Sequence, residues 1–542
     1  MKYITRTTAL AFFFIFTVLP IAVILVFSFR QEGSFAFSRF FEAFSNDRLL
    51  GIALKNFLLA GAATLISSLL AIPAAWLCSR TNTPLAKVFT LFAVIPLLIP
   101  SHTVAYSWMQ AMSIVGEVVH GREGMPLIQY FNAPFCAFVL AMYFFPVMFY
   151  GAFAAFRSAD PLRENIALMY QPPWRVAMKI VLPAAFPVLM ASLGFTFLLM
   201  FAEYGIPAMH TVNTFVGEIF VLMSARVDVG SALALSLTLF LFMVAFGWFV
   251  FRRLPAGFFF TESENIRPHT RFDLGGLRHW ATLFLMIVIA LTIVIPLGAL
   301  IVRAFALAGD PHSFEPSYFA GLKYFKEGIQ YSRRELKTTM MITPVVSVLS
   351  VLIALPIARM FALGARKYMY VAFVLCALMF LVPGTVFATG MLYFYAHKIF
   401  DPIYSSSVIL IIGHVGRFTP LAVLILAAGM IRVGRKPEFI ARLHGVSDLN
   451  AYLEVFLPAI KFEFWLSVMA VAVFSMSELG ASHLLSAAGI STVTSALYIM
   501  MHYGNEERVS ALALMQILMI LAPVAFYGVF RFTARGSRAV AK

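Results

Sequence analysis

Long apolar runs alternate with short polar connectors along this chain, and the runs share one characteristic length. A bilayer core of about 30 Å needs roughly 20 helical residues. The apolar segments of that length are 9–29, 54–78, 87–113, 134–156, 184–204, 230–251, 281–302, 338–360, 369–396, 405–431, 459–479 and 509–530. They should be helices. Open strands in lipid leave backbone groups unpaired, and barrel strands alternate instead of running apolar. Pro73, Pro96, Pro100, Pro356 and Pro383 fall inside these runs, where packed membrane helices tolerate proline, often as a kink. The run from Ala9 to Phe29 is too long for a signal-peptide core, and no small-residue cleavage site follows it. It reads as a retained first span.

The pattern occurs twice. Ile72-Pro73-Ala74 returns as Leu355-Pro356-Ile357, and Leu98-Ile99-Pro100 returns as Leu381-Val382-Pro383, both offset by 283 (356 − 73 and 383 − 100). Glu203-Tyr204-Gly205 returns as Glu478-Leu479-Gly480, offset by 275 (478 − 203). The smaller offset fits the shorter outer loop of the second copy, 397–404 against 114–133. Each copy has an even number of spans, so both share one orientation. The expectation is an all-α integral membrane protein with twelve transmembrane helices. They form two tandem six-helix repeats, residues 1–252 and 281–542, related by a pseudo-two-fold axis along the membrane normal. A polar linker, 253–280, joins the repeats.

Composition agrees. The chain is 61% hydrophobic and 12% charged, which is too little polar surface for a soluble protein of this size. A net charge of +15 would suit nucleic acid, but the basic residues lie in short loops between spans, as the positive-inside rule expects. That rule places both termini and the linker in the cytoplasm, with the long 303–337 loop outside. Cys78, Cys136 and Cys376 all fall in apolar runs and read as small core residues.

Two cytoplasmic loops carry a common pattern, one between spans four and five and one between spans ten and eleven. Each reads as a short amphipathic helix, a turn, and a proline-stopped return into the bilayer. In the first, Asp160-Pro161 is helix-start chemistry, with Leu162, Ile166, Met169 and Tyr170 at helical spacing. Pro172-Pro173 breaks that helix, and a second carries Val176, Ile180 and Val181 up to Leu182-Pro183. In the second loop Pro437 starts a helix bearing Phe439, Ile440 and Leu443, and Gly445 can stop it at positive φ. Asp448 is a candidate cap for a helix carrying Tyr452, Val455 and Phe456 before Leu457-Pro458. One such loop could be a connector on the membrane surface. Two at matched places of a repeat point to docking.

These loops resemble the EAA loops of the permeases of ABC importers, Glu-Ala-Ala-x3-Gly-x9-Ile-x-Leu-Pro. Counting back from Leu-Pro, Glu164 takes the Glu position, Ile166 and Ala167 follow it, and Ile180 takes the Ile position. In the second loop Ala441, Gly445 and Val455 take the second Ala, Gly and Ile positions, and Glu438 stands one place early. Tyr170 stands at the family's Gly position in the first loop, and Phe439 at its Glu position in the second. The resemblance implies a subunit that hydrolyses no ATP itself. It implies two separate cytoplasmic ABC ATPase subunits, which bind ATP and Mg and grip the loops. It also implies a periplasmic solute-binding protein and residence in the bacterial inner membrane. The single-chain layout is similar to the fused permeases of ferric-iron, thiamine and phosphonate importers. Glu-x-Gly after the fifth span and His502-Tyr503-Gly504 point to the ferric branch.

For the solute pathway the candidates are Glu203, Glu478 and Arg417. An acid near the bilayer is costly, so it is functional or paired. Two matched carboxylates would guide a hard cation, or cap helix ends at an outer gate. Arg417 would attract an anion, balance Glu478 or pack with a buried partner. His102, His210 and His483 lie near span ends and read as interfacial, and a resident metal is left open. The sequence has no P-loop and no Ser/His/Asp or His-Glu-x2-His cluster. A major-facilitator transporter also has two six-span halves, but Arg80-Thr81-Asn82-Thr83-Pro84 lacks its Gly-x3-Asp-x2-Gly-Arg-like loop. An integral-membrane enzyme would need clustered acids, histidines or cysteines within the spans.

Overall fold

The computed structural model describes residues 2–31, 34–35, 47–120, 132–252, 271–306, 318–362, 364, 366–434, 436–447 and 450–540. Among these the chain is helical apart from one antiparallel ribbon, Arg30–Gln31 with Ser34–Phe35. Nine helices are long and apolar enough to cross a membrane, and the number is up to twelve if each of three bent pairs is one span. The protein is a multi-pass helical membrane protein.

The bent pairs show what proline does here. Ala86–Leu98 meets Ser101–Gly116 at 100°, and Met369–Leu381 meets Gly384–Tyr395 at 87°. Pro100 and Pro383 occupy the breaks. Proline pushes the preceding residue out of the helical region, and Ile99 is extended at ψ 135°. The freed carbonyls of Pro100 and Pro383 then start the second limbs, accepting from Val104 and Phe387 N–H at 3.0 Å. The expected spans 87–113 and 369–396 are thus sharply broken. Pro73 and Pro356, by contrast, sit inside the continuous helices Asp47–Arg80 and Arg333–Ala362.

A second proline effect corrects the expected starts of spans five and eleven. The π-helical stretches among the described residues are Phe14–Val18, Ala177–Val181, Ala290–Val294 and Ala451–Phe456. Each ends two residues before a proline: Pro20, Pro183, Pro296 and Pro458. A proline ring clashes with the carbonyl four residues back, and a widened turn relieves that clash without ending the helix. Leu182-Pro183 therefore lies within one long helix, Pro173–Phe201, instead of preceding it. At Pro458 the bend of 69° falls after the proline, between Ala451–Ala459 and Lys461–Ser477.

The most extensive helix pairings are Asp47–Arg80 with Asn132–Phe156, and Arg333–Ala362 with Val408–Val433. Small residues are buried along these helices, Ala60, Ala63, Ala71, Ala74 and Ala75 on Asp47–Arg80 and Ala354 and Ala358 on Arg333–Ala362. Gly416 lets the Phe16 carbonyl approach Val408–Val433 closely, since a Cβ there would stand 2.0 Å from it. The first helices are exchanged between the two parts of the chain. The Thr7–Phe27 span packs on Gly384–Tyr395 and Val408–Val433, with Thr17 donating to the Gly416 carbonyl at 2.8 Å. The Gly275–Ala304 span packs in turn near Ser101–Gly116, and Arg303 Nε donates to Gln110 at 2.8 Å.

Candidate functional site

The first loop is built inside out. Asp160 caps Pro161–Leu168 by accepting from Leu162 N–H at 2.9 Å. Glu164, on the inner face, is fully buried. Both its oxygens accept from Arg80 Nη1 at 2.8 Å. Arg80 ends the Asp47–Arg80 helix, is also fully buried, and donates through Nε to the Phe156 carbonyl at 2.7 Å and through Nη2 to the same oxygen. The apolar positions face outward: Leu162 and Ile166 are about half exposed, Met169 is 77% exposed and Tyr170 82%. Trp174, at the start of the next helix, is 64% exposed. Ala167 and Ile180 are half-buried, while Leu182 and Pro183 lie on the surface.

The second loop repeats this plan with weaker anchoring. Glu438 in Lys436–Leu443 is buried, and Arg359 Nη2 donates to it at 2.5 Å. Arg442, one turn on, donates to the same oxygen. The Arg359 guanidinium lies 4.4 Å from the Tyr452 ring centroid and 5.5 Å from that of Phe456. Phe439, Ile440 and Leu443 are exposed, as is the Pro458 ring, and Ala441, Val455 and Leu457 are half-buried. Gly445 has φ +79°, and Val446 N–H returns to the Ala441 carbonyl at 3.1 Å, a left-handed helix stop. The first loop has no such residue at Tyr170; Pro172 ends its turn. The proposed cap Asp448 lies outside the described residues. So does most of the expected linker, 253–270.

The described end of that linker grips the first loop's foundation. Phe272 N–H donates to the Arg80 carbonyl at 2.7 Å, and Asn82 N–H to the Phe272 carbonyl at 3.3 Å. The Phe272 ring stacks on Trp76 at 5.7 Å. Asn82 Nδ2 donates to Asp273 at 2.5 Å, and Gly275 N–H donates to the same oxygen at 3.0 Å. The Gly275 N–H, and then the Asn82 amide, hold the Asp273 carboxyl below its ordinary value of 3.8. A depressed carboxyl stabilises the fold above its unfolded value and loses that contribution as pH falls through the folded value. The clamp should therefore be intact at neutral pH and loosen only well into acid. With Trp76 kept as the single tryptophan, its fluorescence, which senses the Phe272 ring, should change there and lose that pH dependence once Asp273→Asn is added.

At the centre, the two bent spans converge on the other candidate residues. Glu203 Oε1 accepts from Gly205 N–H at 2.9 Å and also bonds the Ser101 hydroxyl, at the start of the Ser101–His120 helix. Glu478 Oε1 accepts from Ala481 N–H at 3.0 Å, and its Oε2 lies 2.9 Å from Arg417 Nε. Arg417 Nη1 donates to the Val382 carbonyl at 2.5 Å. Close approach demands glycine at two places. A Cβ on Gly384 would stand 2.0 Å from Glu478 Oε1, and one on Gly205 would stand 2.8 Å from Ser101 Oγ. The two carboxylates are near enough for their charges to interact. Among the described residues Glu203 has no ion-pair partner, and no three His, Cys, Asp or Glu converge as a metal site.

Beyond the carboxylates lies an aromatic cluster that the sequence reading did not assemble. The Tyr204 and Tyr498 rings are 6.3 Å apart and their hydroxyls hydrogen-bond. Tyr498 also meets His102 at 6.4 Å, His483 at 6.2 Å and His502 at 4.7 Å, while Phe220 meets Tyr204 at 4.8 Å. Phe220 sits on the helix Phe215–Ser224, and Tyr498 and His502 sit on the helix Val493–Tyr503. Thr214 and Thr492 cap them by accepting from Gly217 and Ser495 N–H at 3.2 and 3.3 Å. The sequence signal was the repeated Thr-x2-Gly/Ser at an offset of 278 (492 − 214 and 495 − 217). His414 is structural in setting, held between Ser475 at 2.8 Å and Ser482 at 3.0 Å. His210 is buried against Phe135.

No family model matches the chain, and no curated protein matches it.

Proposed function

We propose that this chain is the two-repeat permease subunit of a binding-protein-dependent ABC importer. It moves a small solute from a periplasmic binding protein to the cytoplasm and hydrolyses no ATP itself. One observation carries the reading. Two loops each bury an acid against an arginine of the bundle and turn an apolar helical stripe outward, uncovered by the rest of the described chain. A membrane-surface connector would turn such a stripe toward lipid, and the matched buried acid–arginine anchors beneath both loops favour docking. A surface stripe anchored by a rigid ion pair suits transmission of force from a docked partner. In this reading two cytoplasmic ABC ATPase subunits, carrying ATP and Mg, seat on these stripes, and both termini are cytoplasmic.

The solute passes between the repeats, by Glu203, Glu478 and the Tyr204–Tyr498 contact. Glu203, a carboxylate without a cationic partner among the described residues, favours a cation, with ferric iron the first choice; thiamine is the next.

Tyr170→Glu and Phe439→Glu sit on exposed positions and should spare the fold. Each should weaken co-isolation of the ATPase subunits by about 2 kcal/mol, roughly 30-fold, as for an interface hot spot. Full solute uptake by the chain alone, driven by an ion gradient, would overturn the reading.

A further inference from the structure

A cleft of about 410 Å³ opens beside the first loop, and nothing in the transport reading uses it. Its size falls among ligand sites, about 300–1,000 Å³. Pro73 and Trp76 form one wall, Met178 and Leu182 another, and Phe156 and Phe284 close it. These come from Asp47–Arg80, the first turns of Pro173–Phe201, Asn132–Phe156 and Gly275–Ala304. Only apolar atoms face the space, and Met178 on its wall is 59% exposed.

The rim is different. The Pro173–Phe201 helix has 29 residues, so it exceeds a bilayer core of about 20 residues and its first turns reach headgroup depth. Arg175 and Lys179 stand there one turn apart, flanking Met178, and both are exposed. Neither forms an ion pair with a described residue. The nearby acids are committed: Glu164 to Arg80, Asp160 to the Leu162 N–H, and Asp273 to Asn82 and Gly275. Trp174 lies under the Arg175 guanidinium at 5.2 Å and is exposed, as interfacial tryptophans are.

From an apolar slot at bilayer depth and two unpaired cations at headgroup height, we propose that the cleft seats one acyl chain of an anionic phospholipid. Its phosphate is held by Arg175 and Lys179. A zwitterionic lipid would fill the slot equally well but leave the cations less well matched. The chain would lie between the root of the first loop and the Trp76 wall, bracing the loop from the membrane side. This inference is independent of what docks on the loop's outer face.

Trp76 lines the cleft and reports its contents. The test keeps Trp76 and replaces the other five of the six tryptophans by Phe, in phosphatidylcholine vesicles. Brominated phosphatidylglycerol should quench Trp76 at roughly tenfold lower mole fraction than brominated phosphatidylcholine. Arg175→Gln with Lys179→Gln should abolish that preference. Equal quenching by both lipids, meaning an unselective annulus, would overturn the proposal. So would an unquenched Trp76, meaning a protein segment or nothing in the slot. Native mass spectrometry of the unaltered chain gives a second reading should the tryptophan variant not fold. One phosphatidylglycerol should stay bound, and the double Gln variant should lose it; retention by that variant would overturn the proposal.

Discussion

Glu164→Ala should cost about 3–5 kcal/mol of stability and loosen the first loop, because it leaves Arg80 charged and buried with only the Phe156 carbonyl. Taking both charges away has a different outcome. Arg80→Met with Glu164→Leu removes the desolvation cost along with the attraction, so the pair should be near wild type or above it. The second loop supplies an internal control. Glu438 is shared by Arg359 and Arg442, whose side chains are 13% and 40% exposed, so water can reach cations left behind. Glu438→Ala should cost about 1–3 kcal/mol, nearer an ordinary hydrogen-bonded charge. Thermal unfolding in detergent micelles measures all three. Equal losses at Glu164 and Glu438 would sink the claim that burial separates the two anchors.

The spans were legible because their signal is local: about twenty apolar residues suffice to identify each one. The bends were not. Pro73, Pro100, Pro356 and Pro383 look alike in sequence, yet only the second and last break a span. The difference lies in distant partners, since the new helix starts pack against Gly205 and Gly480 from later spans. The Leu-Pro pairs were read as stops, whereas a π turn before each proline lets the chain stay helical.

Helical spacing in the loops was also legible, but its facing was not. A period of 3.6 says which residues share a stripe, not whether the stripe points in or out. The inward face is decided by Arg80, 84 residues away from Glu164. Arg80 and Arg359 were visible as basic residues ending matched apolar runs, and the positive-inside reading absorbed them without asking for a partner. Glu438 looked displaced by one place from the motif. The fold gives it the same kind of partner as Glu164, an arginine of a long helix, which the count from Leu-Pro did not reveal.

Arg417→Met should be the most damaging substitution at the centre. It strands Glu478, whose side chain is 11% exposed, with the Ala481 N–H alone and should cost about 1–3 kcal/mol, as for Glu438. Glu203→Gln should do little harm to stability, because Glu203 has no cation to lose and its charge opposes that of Glu478. Its Gly205 and Ser101 hydrogen bonds can pass to the Gln carbonyl oxygen. The two variants therefore separate structure from transport. Met at 417 should lower the unfolding temperature and, with it, uptake. Gln at 203 should leave unfolding unchanged and reduce uptake of a cationic solute alone. Unaltered iron uptake in Glu203→Gln would remove the cation route while leaving the Arg417–Glu478 pair intact as a structural tie between Val408–Val433 and the Gly480–Leu485 helix that follows Glu478.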